Sequence, residues 1–108
     1  MKIIPIQWDD VNVQIATLGE SLSGGPTSTS YGIASFPPGL RHPTEGYSAH
    51  DGTEISFILD GDFDVETPDG TTTVGKDHLV VIPAGEPHAT VAKTIGRVAF
   101  FLISEVQE

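Results

Sequence analysis

Glycine and proline interrupt this chain so often that no long helix fits between them. The 12 glycines and 8 prolines are spread through 108 residues. Turn-forming groups recur at Gly24-Gly25-Pro26, Pro37-Pro38-Gly39, Asp51-Gly52, Asp60-Gly61, Asp69-Gly70 and Thr94-Ile95-Gly96. Glycine supplies positive φ in such turns and proline a fixed φ near −65°. Between them lie short runs rich in β-branched and aromatic residues, which fit a pleated surface. Strands are expected near Ile3–Trp8, Val11–Leu18, Ser30–Phe36, Tyr47–His50, Glu54–Asp60, Asp62–Glu66, Thr71–Val74, His78–Ile82, His88–Lys93 and Arg97–Ser104. No window of 11 residues carries a 3.6-residue apolar period. Short strands joined by hairpin turns predict an all-β sandwich or barrel. Residues 21–30 (SLSGGPTSTS) are expected to form a surface loop.

The formal net charge is −10, and the five cations Lys2, Arg41, Lys76, Lys93 and Arg97 are scattered. No basic patch can form from them, so neither nucleic acid nor an anionic membrane surface is an expected partner. The absence of cysteine removes disulfides, thiolate nucleophiles and zinc–thiolate sites. The longest apolar run, Val98 to Ile103, is six residues, against the roughly 18 of a membrane helix. Trp8-Asp9-Asp10 arrives before a signal-peptide core can form, and a cytoplasmic chain is expected. One domain over residues 1–108 is expected, able to bury roughly 65% of the surface of its unfolded form.

Chemistry concentrates in two segments. In Ser48-Ala49-His50-Asp51-Gly52-Thr53-Glu54, a three-residue hairpin loop would set His50 opposite Glu54 on the first rung. Ser48 would share their face, and Tyr47 would point away. In Ile82-Pro83-Ala84-Gly85-Glu86-Pro87-His88, an apolar strand ends at a turn and His88 opens the next strand, with Thr90 on its face. Two imidazoles and one carboxylate suit a facial triad, which leaves up to three positions open on a divalent metal.

The spacing His50-x3-Glu54-x6-Gly61, followed by Pro83-x-Gly85-x2-His88, resembles the two motifs of the cupin superfamily. The resemblance covers a motif-bearing core of about residues 37–103. It implies a double-stranded β-helix, or jelly-roll barrel, over the single domain. It further implies one divalent transition metal (iron, manganese, nickel or zinc) on His50, Glu54 and His88. The position of the first family histidine holds Ser48, Asp77-His78 stands for the usual Gly-Asp, and Ala92 for an asparagine. The function implied is a small metal-dependent enzyme acting on a small organic molecule, by oxygenation or by isomerisation, elimination or cyclisation through an enolate. The alternatives are a metal-free isomerase or epimerase and a non-catalytic small-molecule binding protein.

Other residues are placed by alternation. Ser56 and Thr90 are expected to line the cavity with Ser48, as a substrate pocket. His42, ahead of the first motif, is a candidate general base or substitute fourth ligand, and Glu54 a candidate catalytic carboxylate. His78 is expected to be exposed beside a turn, and Asp60, Asp62, Asp64 and Glu66 to form a solvated edge. Ile55, Phe57 and Leu59 share one face of their strand, while Phe100 and Phe101 take opposite faces of theirs. Strands apolar on both sides predict a homodimer that covers the second face.

Overall fold

Burial alternates along the strands and explains why they assemble as two facing sheets. In the computed structural model, which describes residues 1–22 and 27–105, Ser56 and Ile58 are buried while Phe57 and Leu59 are exposed. The strands are β1 (Gln14–Leu22), β2 (Thr27–Phe36), β3 (Arg41–His42), β4 (Thr53–Asp60), β5 (Asp62–Thr67), β6 (Gly70–Gly75), β7 (Leu79–Ile82), β8 (Ala89–Ala92) and β9 (Gly96–Glu105). No helix occurs among the described residues. One sheet has the order β1-β2-β9-β4-β7 and the other β3-β8-β5-β6. Every pairing is antiparallel. This is the all-β sandwich or barrel expected from the turn spacing, in the jelly-roll form that the motif resemblance implies.

Register divides the interior into two ends. On the first sheet, Glu54 is level with Ile82 and Leu102, Ser56 with Val80 and Phe100, and Ile58 with Val98. On the second, Thr90 pairs with His42 and Val65, and Ala92 with Phe63. The rungs of Ile58, Val98, Ala92 and Phe63 join Phe36 in the apolar cluster that closes one end. Phe63 is 1% exposed, and its ring meets Phe36 edge to face at 5.8 Å. Burying such a ring contributes about 1.5–3 kcal/mol. The rung of Glu54 lies at the opposite end, where polar side chains gather.

Several expectations about the strands and loops are corrected. Residues 3–8 form no strand, and β1 begins at Gln14 rather than Val11. Pro5 has no N–H to give a ladder, and the segment is held by other contacts. The Ser35 hydroxyl donates to the Asp9 carbonyl at 2.6 Å. Arg97 forms an ion pair with Asp10 at 2.6 Å and lies 5.2 Å from the Trp8 ring centroid. The Asp9 carboxylate accepts from the N–H groups of Asn12 and Val11, at 3.0 and 2.9 Å. These two bonds, that of Asn12 first, lower its pKa from the ordinary aspartate value.

The expected strand Tyr47–His50 reduces to one bridge at Ser48, whereas the unexpected β3 pairs with β8. The expected loop 21–30 is mostly ladder, since Ser21 pairs with Thr29 and Leu22 with Ser28. Its residues 23–26 lie outside the described residues. His78 precedes β7, is exposed, and uses its ring Nδ1 locally, 3.1 Å from the Gly75 nitrogen.

The outer face of the five-stranded sheet is half covered. Ser35, beneath Asp9, is 0% exposed. Further along, Phe57, Leu79, Val81, Phe101 and Ile103 remain exposed, with Phe57 and Phe101 ring centroids 6.0 Å apart.

Candidate metal centre

Two chain segments about forty residues apart are stitched together at the polar end. Ser48 and His88 exchange backbone hydrogen bonds, each N–H donating to the other's carbonyl at 2.8 Å. In such an antiparallel pair both side chains stand on one face, close together. The His50 carbonyl accepts from the Gly85 N–H at 2.8 Å. Gly85 has φ +80°, in the left-handed region that favours glycine. Glu54 comes from the inner face of β4, two residues before Ser56.

One ligand atom each from His50, Glu54 and His88 lies within 4.8 Å of the other two. His50 Nε2 is 3.3 Å from Glu54 Oε1, and the two imidazole centroids are 5.1 Å apart. Supporting bonds orient two of the three. The Ser56 hydroxyl donates to Glu54 Oε2 at 2.9 Å. His88, 7% exposed, has Nδ1 3.0 Å from the Glu86 carbonyl oxygen. When Nδ1–H donates there, Nε2 keeps its lone pair for another partner. Two imidazole nitrogens and a carboxylate, each aimed from a different segment, form a donor set that fits a divalent transition metal.

The cluster opens on a cavity of about 230 Å³. Ser48, Ser56, Thr90 and His42 line it beside the three clustered residues, and aliphatic and phenylalanine side chains supply the remaining wall except Thr17. The expected hairpin is corrected: β4 begins at Thr53 and has β7 and β9 as its partners, so His50 does not face Glu54 across a ladder. The two meet because the Ser48–His88 bridge and the Gly85 bond carry His50 over the end of β4. His42 lies outside the cluster and packs on Phe36 at 6.2 Å. It lines the cavity wall beside the cluster.

Arg41 was not among the expected site residues. Its guanidinium donates to the Pro43 and Gly46 carbonyls, each at 2.8 Å, pairs with Glu66 at 3.4 Å, and lies 5.7 Å from the Tyr47 ring centroid. It thereby pins the segment that leads to Ser48 and His50. Its position beside His42 was the only signal, and a carbonyl-binding arginine leaves no sequence pattern.

A family model described as a cupin domain matches residues 32–104. The chain belongs to the cupin family. Solved structures agree on the fold. A cupin family protein from Methanocaldococcus jannaschii with a double-stranded β-helix superposes with a TM-score of 0.70 at 11% identity, covering 98% of this chain and 91% of that one. A cupin superfamily protein from Desulfitobacterium hafniense DCB-2 gives 0.68 at 19% identity, covering 94% and 84%. Salicylate 1,2-dioxygenase from Pseudaminobacter salicylatoxidans gives 0.62 at 19% identity, over 71% of this chain but 21% of that longer one. A search of curated proteins found no match.

Proposed function

We propose that this cupin binds one divalent transition metal through His50, Glu54 and His88 and is an enzyme for a small organic molecule. The observation that carries this reading is the convergence of the three ligand atoms within 4.8 Å at the polar end of an apolar cavity. A half-buried carboxylate beside two imidazoles attracts a cation, and a metal supplies that charge. Bound there, the metal polarises substrate oxygens or, if redox-active, supports oxygenation. This covers both reaction types, oxygenation and isomerisation, elimination or cyclisation. The likeness of fold to a salicylate dioxygenase is compatible with the first.

The protein's own groups have separable tasks. Ser56 and the Glu86 carbonyl hold two ligands in place, and Ser48 leaves room where a third imidazole would crowd the metal. His42, on the cavity wall, is placed to accept or donate a proton on a bound molecule. Metal titration of the wild type against Glu54→Ala and His88→Ala tests the site. Stoichiometric binding by the wild type alone supports it, and equal binding by all three, or none by the wild type at neutral pH, overturns it.

One observation favours a second reading. The 3.3 Å contact between His50 and Glu54 already gives each a partner, as a metal-free isomerase, epimerase or binding protein would require. A protein that turns over or retains a ligand after exhaustive chelation fits that alternative.

The whole chain is proposed to act as one cytoplasmic domain. No helix among the described residues is long and apolar enough to cross a membrane. The exposed face of Phe57, Leu79, Val81, Phe101 and Ile103 supports a homodimer. Light scattering at micromolar concentration checks it, and Phe101→Asp is expected to shift a dimer to monomer.

A further inference from the structure

The cavity reaches solvent through the side of the sandwich. Of the residues that line it, three are exposed: Ile15, Thr17 and His42. The others are buried or half-buried, the clustered His50, Glu54 and His88 included. Ile15 and Thr17 belong to β1 and His42 to β3, and each of these strands ends its sheet. The two edges lie on the same side. The opposite edges, β6 and β7, are joined by the short segment 76–78, which leaves β3 facing the β1–β2 end. Phe36 of β2 accordingly packs on His42 at 6.2 Å. No ladder joins β1 to β3 among the described residues, so a slot runs between them into the cavity.

Register gives the depth of this slot. Ile15 pairs with Ala34, Ala34 with Val98, and Val98 with Ile58, so Ile15 stands on the rung of the apolar cluster. Thr17 is level, through Gly32 and Phe100, with Ser56. Ile58 lies four residues beyond Glu54 on β4, roughly 13 Å along the strand. The exposed margin thus lies at apolar depth, well away from the clustered residues. A compact molecule held at the polar end would leave this part of the cavity, and Ile15, in water. A narrow chain running along the cavity would cover both. The imidazole of His42 at the other margin can be neutral or charged, so the slot sets no bar to a polar or anionic group at the outer end of such a chain.

We infer that the slot between β1 and β3 is an entrance to the cavity and a binding site for a linear apolar chain. The chain lies along Phe100, Val98 and Ile58 and leaves past Ile15 and Thr17. This goes beyond the metal reading above and does not rest on it, since the walls concerned carry no member of the cluster.

The probes are butan-1-ol and octan-1-ol, uncharged so that the state of His42 does not enter, titrated by calorimetry into the full chain. Each added methylene that finds apolar wall should tighten binding about fourfold. Ile15→Trp narrows the slot at one rung and Thr17→Trp at the next. Either variant should bind butan-1-ol as the wild type does and octan-1-ol at least about tenfold more weakly. In the wild type, Overhauser contacts should run from the octan-1-ol chain to Ile15 and Thr17, a readout that needs no variant to fold. No gain with chain length in the wild type overturns the inference. So does a gain that survives in a folded variant, or contacts confined to other residues such as Phe57 and Phe101 on the outer face. Because the alcohols are titrated apart from any metal, these outcomes leave the metal reading untouched, and failure to bind metal leaves the slot standing.

Discussion

Ser56→Ala isolates one bond at the candidate centre. The Ser56 hydroxyl is buried and donates to Glu54 Oε2 at 2.9 Å, while Oε1 faces His50 at 3.3 Å. Removing the hydroxyl leaves Oε2 without that donor, but the Glu54 side chain is 20% exposed and water can reach it. The folding cost should therefore stay at about 1.5 kcal/mol, at the low end for bonds to charged groups. The metal should feel more, because a ligand that has lost its orienting partner typically binds about 10- to 100-fold more weakly. Competition with a chelator measures the affinity, and thermal unfolding of the metal-free protein measures the stability. The control is Ser56→Ala in a Glu54→Ala background, where the bond is already absent and no further loss of affinity is expected. An unchanged affinity in the single variant would refute the orienting role. So would an equal loss in both backgrounds.

Ser48→His is expected to tighten metal binding, since a third imidazole joins the donor set and takes a position otherwise open to a bound molecule; metal titration by calorimetry checks it, and an unchanged or weaker affinity would refute it. A Cβ on Gly52 would stand 2.5 Å from the Ile103 carbonyl oxygen and meet Ser104 Oγ. Gly52→Ala should thus cost about 1–3 kcal/mol in denaturant unfolding and weaken metal binding, as His50 and Glu54 flank the site of strain. The lowered pKa of Asp9 means that its contribution is present above the ordinary aspartate value and lost as pH falls through the lowered one. Trp8, the single tryptophan, should report that release by a fluorescence change in acid, and Asp9→Asn should remove it; an unchanged titration in the variant would exclude Asp9 as its source.

Where pattern and structure agree, the information was local. Alternation along residues 54–60 assigned Ser56 to the interior and Ile58 and Phe57 to opposite faces, and along 97–104 it set Phe100 and Phe101 on opposite faces; burial places Ile58 and Phe100 inside and Phe57 and Phe101 outside. The turn at Asp60-Gly61, with Gly61 at φ +85°, was equally legible. What failed depended on distant partners. Nothing near Ser48 announces that its backbone pairs with His88, so the geometry of His50 and Glu54 was assigned to the wrong ladder. The residues Ile3–Trp8 have strand-like composition, but their contacts run to Ser35 and Arg97. Composition shows which residues suit a strand, not whether a neighbour remains for them to pair with.

The two stitches at the polar end bear on timing as well as position. The Ser48–His88 pair and the Gly85–His50 bond are the backbone links between segments that carry different members of the cluster. A brief separation of those segments would pull His88 away from His50 and expose the N–H groups of Ser48, Gly85 and His88 to solvent in one event. Amide exchange at these three positions would then share a single opening rate. A metal bridging the segments would have to let go of one side before they part, so exchange there would slow in step with metal dissociation.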